Sequence, residues 1–223
     1  MKKILLFISV VILVLFIYIK NGDDKVYYLA LGDSYSLGMN PYNAYDYGFT
    51  DYIKDYLNNN EKLQNYINDF AVSGYRTIDL LKDIESNKSI VYENQEITIQ
   101  QALIKADLVT LSIGTNDIIG MASVSPDDSY IDDAMNDMES LLILLRKYCK
   151  ETIVAVGYFN LINNDYANER YKKLCEKYDI VYIDIYNLIN DDYFPNPSNI
   201  HPSKKAYELI ANKIIEVVDN KFW

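Results

Sequence analysis

From Val26 onward the chain alternates short, nearly continuous apolar runs with longer amphipathic stretches, and few folds accommodate that alternation. The apolar runs occupy residues 26–31, 67–72, 108–113, 153–156 and 180–183. Strands that are apolar on both faces belong to a parallel sheet covered by helices on each side. Between them, Ile131, Ala134, Met135, Met138, Leu141, Leu142 and Leu145 recur at spacings of three and four, as do Ala206, Ile210, Ile214 and Val217. Stripes of that period are the buried faces of helices. The pattern predicts a three-layer α/β domain with five parallel strands over residues 25–223. Residues 87–101 are polar and irregular, and read as a surface insertion before a short helix over 100–106.

A chain of 223 residues holds one such domain plus a short appendage. The appendage is residues 1–24. Lys2 and Lys3 precede an apolar run from Ile4 to Ile19 whose one clearly polar member is Ser9, and Lys20 closes it. As a helix the run spans about 24 Å, which flanking lysines extend by snorkelling toward the roughly 30 Å of a bilayer core. It is short for an anchor and long for a signal peptide. No pair of small residues marks a cleavage site, so an uncleaved membrane helix is preferred over a removed signal peptide. The leading lysines place the amino end in the cytoplasm and the domain outside. The alternative is secretion after cleavage.

Composition removes several function classes. The net charge of −11 argues against nucleic acid, whose phosphates require a basic surface. One histidine, His201, and two cysteines, Cys149 and Cys175, leave no donor set for structural zinc, and no metal or cofactor is expected. Both cysteines fall in predicted helices and read first as core thiols, second as a disulfide.

Parallel sheets gather ligands beyond the carboxyl ends of their strands. There the chain carries Gly32-Asp33-Ser34, then Ser73-Gly74, then Gly114-Thr115-Asn116-Asp117, and, across a loop from the last strand, His201-Pro202. Together they hold every group that acyl transfer needs. A serine nucleophile requires a base, and the oxyanion formed on attack requires preorganised donors. His201 is the sole imidazole. Ser34 can offer its hydroxyl and its N–H from a tight turn, Gly74 an unobstructed N–H, and Asn116 a side-chain amide. Taken singly, each residue is equally well a turn glycine or a helix cap.

The four blocks, in this order and each placed after a strand, resemble those of the SGNH (GDSL-type) hydrolases, which are serine esterases and lipases with a flavodoxin-like sheet. The resemblance implies Ser34 as nucleophile, His201 as general base, and Ser34, Gly74 and Asn116 as the oxyanion hole. It also implies that Asp33 and Asp117 hold the loops, and that the substrate is a small-molecule, glycan or lipid ester. One position departs from it. Most members carry an aspartate three residues before the histidine, where Ser198 stands here, and Asn199 is not acidic either. A backbone carbonyl or the Ser198 hydroxyl is expected to orient His201, with Asp191 or Asp192 next in order, and an inactive centre last. The competing reading is a membrane-tethered binding protein that kept the fold and lost turnover. A flavin or nucleotide site lacks its glycine-rich loop, and an α/β-hydrolase lacks its G-x-S-x-G elbow. Met39, Tyr42, Tyr45, Tyr47, Phe49, Tyr158 and Phe159 either wall an acyl or sugar site or simply pack the loops.

Overall fold

The first strand, β1 (Val26–Gly32), is buried at all seven positions, and its alternate side chains feed two separate cores. Tyr27, Leu29 and Leu31 face one layer; Val26, Tyr28 and Ala30 face the other. The computed structural model describes residues 25–122, 129–160 and 165–222. Elements follow β1 in the order α1 (Phe49–Asn59), β2 (Leu63–Ile67), α2 (Thr77–Glu85), β3 (Ser89–Tyr92), β4 (Gln95–Thr98), α3 (Ile99–Lys105), β5 (Leu108–Ser112) and α4 (Thr115–Ala122). Then come α5 (Ser129–Tyr148), β6 (Thr152–Val156), α6 (Asp165–Lys177), β7 (Val181–Ile183) and α7 (Lys204–Phe222).

The parallel sheet runs β2-β1-β5-β6-β7, the doubly wound flavodoxin-like order, with β1 paired to both β2 and β5. Helices α1 and α7 cover one face through Phe49, Ile53, Leu57, Tyr207, Ile210 and Ile214. Helices α2, α3, α5 and α6 cover the other, with Leu80, Leu103, Met138, Leu142 and Tyr171 among their buried residues.

Two expectations change. The second strand is Leu63–Ile67 rather than residues 67–72, because Asn68 and Asp69 form a turn in which the Ala71 N–H donates to the Asn68 carbonyl at 2.9 Å. As an edge strand it is buried only at Ile67, and its polar residues hid it. Residues 87–101 are no irregular insertion but the antiparallel hairpin β3–β4, closed by Glu93 and Asn94 at φ 48° and 64°. Two consecutive positive φ values are the mark of a tight hairpin turn. Cys149 and Cys175 are free, buried thiols, and burial pushes both upward in pKa. The Ile4 to Ile19 run lies outside the described residues, among which no helix is long and apolar enough to cross a membrane.

Candidate active site

Ser34 stands on the turn that leaves β1, and the turn is held from several sides. Gly32 at its start has φ +140°, a conformation that side chains rarely adopt. The Asp33 N–H donates to the Ser112 carbonyl of β5 at 3.1 Å, and the Val72 N–H donates to the Gly32 carbonyl at 3.0 Å. Asp33 Oδ1 accepts the Tyr35 N–H at 3.0 Å, and the Ser36 hydroxyl reaches back to the Leu31 carbonyl at 2.9 Å. No regular helix follows. Instead the chain turns through the Leu37, Gly38 and Met39 amides, which donate to Asp33, Tyr35 and Ser34 carbonyls.

His201 meets this turn from the loop before α7. Its Nε2 lies 2.8 Å from Ser34 Oγ, with Ser34 4% and His201 8% exposed. The Tyr35 hydroxyl donates to the Ile200 carbonyl at 2.9 Å, while its ring packs against both His201 and Phe159. One aromatic side chain thus ties the serine turn to the histidine loop. Burial, with no carboxylate in contact, lowers the His201 pKa below its ordinary value.

The Nδ1 end of the ring is also occupied. Asn199 Oδ1 lies 2.7 Å from Nδ1 and accepts the His201 backbone N–H at 2.9 Å. Among the described residues none of the expected orienters is used, neither a backbone carbonyl, nor the Ser198 hydroxyl, nor an upstream aspartate. Ser198 is exposed, with its N–H on Asn196 Oδ1, and Asp191 and Asp192 are exposed in a short 3₁₀ turn. The physical reason is local: an asparagine that accepts the N–H two residues on forms an Asx turn, which carries its oxygen beside that residue's side chain. Asn-x-His was the available signal.

The expected oxyanion donors differ in how free they are. Gly74 has φ +81° and open space where a Cβ would sit, and among the described residues neither its N–H nor that of Ser34 has an acceptor. Asn116 Nδ2 donates to the Tyr75 carbonyl at 2.9 Å and to Asp33 Oδ2 at 3.3 Å, so one of its hydrogens rests on a weak partner. A cavity of about 230 Å³ opens against it, lined by Arg76, Ile78, Asp117 and Tyr130 among others. Asp117 Oδ2 accepts both the N–H and the hydroxyl of Thr77, and so satisfies the first free donor of α2. It is structural. Of the aromatic candidates, Phe49 and Tyr158 belong to the core, Phe159 backs Tyr35, and Tyr42 and Tyr45 are exposed. Among the described residues no group of three or more His, Cys, Asp or Glu side chains could hold a metal ion.

Burial raises the Asp33 carboxyl from 3.8 to about 7, with the Asp117 charge adding to the effect. A carboxyl whose folded pKa lies above its unfolded one keeps a proton that the unfolded chain loses, so stability falls as pH rises between those two values. His201 works in the opposite sense, its depressed pKa costing stability as pH falls. Denaturant melts across this range are expected to show the Asp33 slope in the wild type and its removal in Asp33→Asn. A variant that keeps the slope would contradict the assignment.

Chemically, a hydroxyl on a neutral imidazole, beside unengaged N–H donors, can attack an acyl carbon and hold the resulting oxyanion. The family model described as the GDSL-like Lipase/Acylhydrolase family matches residues 30–209. No curated protein gives a match. Among solved structures, the acetylxylan esterase of Geobacillus stearothermophilus superposes with a TM-score of 0.64 at 18% identity, covering 87% of this chain and 94% of its own. A lipase from a goat rumen metagenome gives 0.62 at 18%, with 85% and 95% covered. A psychrotrophic esterase of Pseudoalteromonas sp., in a structure inhibited by monoethylphosphonate, gives 0.60 at 15%, with 86% and 96% covered. At these identities the likeness is one of fold.

Proposed function

Since the chain belongs to the GDSL-like Lipase/Acylhydrolase family and is accordingly a carboxylic-ester hydrolase, we propose that it acts outside the cytoplasm through an acyl-serine intermediate, with Ser34 as nucleophile and His201 as general base. The observation that carries this reading is the 2.8 Å contact between Ser34 Oγ and His201 Nε2. Oγ attacks the ester carbonyl while Nε2 takes its proton. The tetrahedral oxyanion is held by the N–H groups of Ser34 and Gly74 and by Asn116 Nδ2, which exchanges its 3.3 Å contact with Asp33 for the substrate oxygen. Collapse releases the alcohol with the proton from His201, and a water activated by the same imidazole frees the acid.

The substrate is a small-molecule or glycan ester, and the acetylxylan esterase neighbour makes acetylated glycans the first natural polymers to try. Residues 4–19 tether the domain to the membrane, with the amino end in the cytoplasm, on the strength of their apolar run between lysines. The binding-protein alternative drew its support from the missing aspartate, and Nδ1 already has an acceptor.

The test is covalent. Full-length protein in detergent, given a p-nitrophenyl phosphonate, is expected to release one equivalent of p-nitrophenol and to carry the phosphonate on the Ser34 peptide, alongside turnover of p-nitrophenyl acetate. No label, or a label on another residue, would sink the mechanism.

A further inference from the structure

We propose that Asn199, braced by Asn43, is the positioning residue that sets the His201 tautomer, so that this centre runs with a neutral amide behind its base. The assignment begins with a group that can only donate. The His201 backbone N–H points at the Asn199 side chain from 2.9 Å, so the atom it meets is the amide oxygen and not the nitrogen. That same oxygen lies 2.7 Å from Nδ1, which must therefore carry the ring hydrogen. Nε2 is left with its lone pair toward Ser34 Oγ, the tautomer that can accept the serine proton.

The amide has its own support. Asn199 Nδ2 donates to Asn43 Oδ1 at 2.8 Å, and Asn43, at φ 60°, is fixed by its N–H on the Asn40 carbonyl. A second contact, Asn196 Nδ2 to the Pro41 carbonyl at 2.9 Å, binds the same two loops together. The brace therefore spans from the loop after the nucleophile to the loop before the base.

An amide oxygen holds the hydrogen on Nδ1 as a carboxylate would, but it brings no full charge to the imidazolium that forms during attack. The titratable groups around the ring are Tyr35 and Asp33 on the serine turn, Lys204 and Tyr207 at the start of α7, and Asp191 and Asp192 earlier in the loop. Tyr35 packs at a tilt against the ring, Lys204 sits over Tyr47, Tyr207 binds the Met39 carbonyl, Asp33 is turned to Tyr35 N–H and Asn116, and the last two are exposed. None places a carboxylate on Nδ1.

Because His201 is the only histidine, its ring nitrogens can be read without ambiguity by ¹⁵N NMR on the full-length chain. The wild type is expected to show the Nδ1–H form above its pKa. Asn199→Asp should keep that form, raise the imidazole pKa by about 1–3 units, and move the acid limb of the kcat/KM profile up by the same amount. Asn199→Ala should mix the tautomers and lower kcat by about 10²–10⁴ with KM little changed, and Asn43→Ala should do the same more weakly. Ser198→Asp should alter neither reading. An unchanged tautomer in Asn199→Ala, or an unchanged pKa in Asn199→Asp, overturns the inference. Should the alanine variant fail to fold, Asn199→Asp and Asn43→Ala decide it.

The kinetic arm rests on the hydrolase reading above, while the NMR arm does not. Tautomer and pKa responding in a protein that cleaves no ester would remove the mechanism and leave Asn199 in place.

Discussion

Ser34→Ala is expected to lower ester turnover by about 10⁴–10⁶-fold while leaving the fold intact. The hydroxyl's contact is with His201 Nε2, and the turn that carries it is held by the Asp33, Ser36 and Leu37 backbone and side-chain bonds instead. Removing one oxygen therefore deletes the proposed nucleophile without loosening β1. His201→Ala should cost a similar factor, and the double variant scarcely more, because groups that act as a unit do not add. The check is kcat/KM on p-nitrophenyl acetate beside circular dichroism. Retention of turnover within about tenfold of the wild type by a folded Ser34→Ala would show that another group attacks.

Gly32→Ala is expected to prevent folding altogether. A Cβ at this position would lie 2.0 Å from the Ser112 carbonyl oxygen and 2.8 Å from its carbon, at φ +140°. Both atoms belong to the paired backbone of β5, where Gly32 sits opposite Ser112, so the clash can be relieved only by parting the two central strands. The penalty of several kcal/mol falls on a total stability of about 5–15 kcal/mol. Gly74→Ala is the control, since nothing lies within 4 Å of its Cβ position and only the left-handed backbone opposes it. Soluble yield and thermal unfolding distinguish the two; a Gly32→Ala protein melting like the wild type would refute the packing argument.

The parts of this molecule that are written in apolar spacing are legible in the amino-acid sequence alone. β1 is apolar on both faces and β5 is buried throughout because both are covered, and the stripes of α5 and α7 repeat at helical intervals. β2 escapes because it is an edge strand, half exposed, whose Leu63-Gln64-Asn65 carries little apolar signal. The β3–β4 hairpin escapes because its turn is Glu93-Asn94 and holds no glycine, although both residues take positive φ. In the site, Ser34 and His201 are legible as chemistry, being the serine of a glycine turn and the sole imidazole. Asn199 is not, since a carboxamide has no proton to give or take and declares itself only through the Asx turn that swings it under the ring. Asn43 lies 156 residues away in the chain and cannot be paired with it from spacing.

The direction of β1 has a consequence for reach. The strand enters the domain at Val26 and delivers Ser34 beyond its far end, roughly 20 Å away at about 3.3 Å per residue. In a parallel sheet every other strand points the same way, so the whole reactive rim lies on the hemisphere opposite the entry. A substrate therefore reaches Ser34 from the side of the sheet away from Val26.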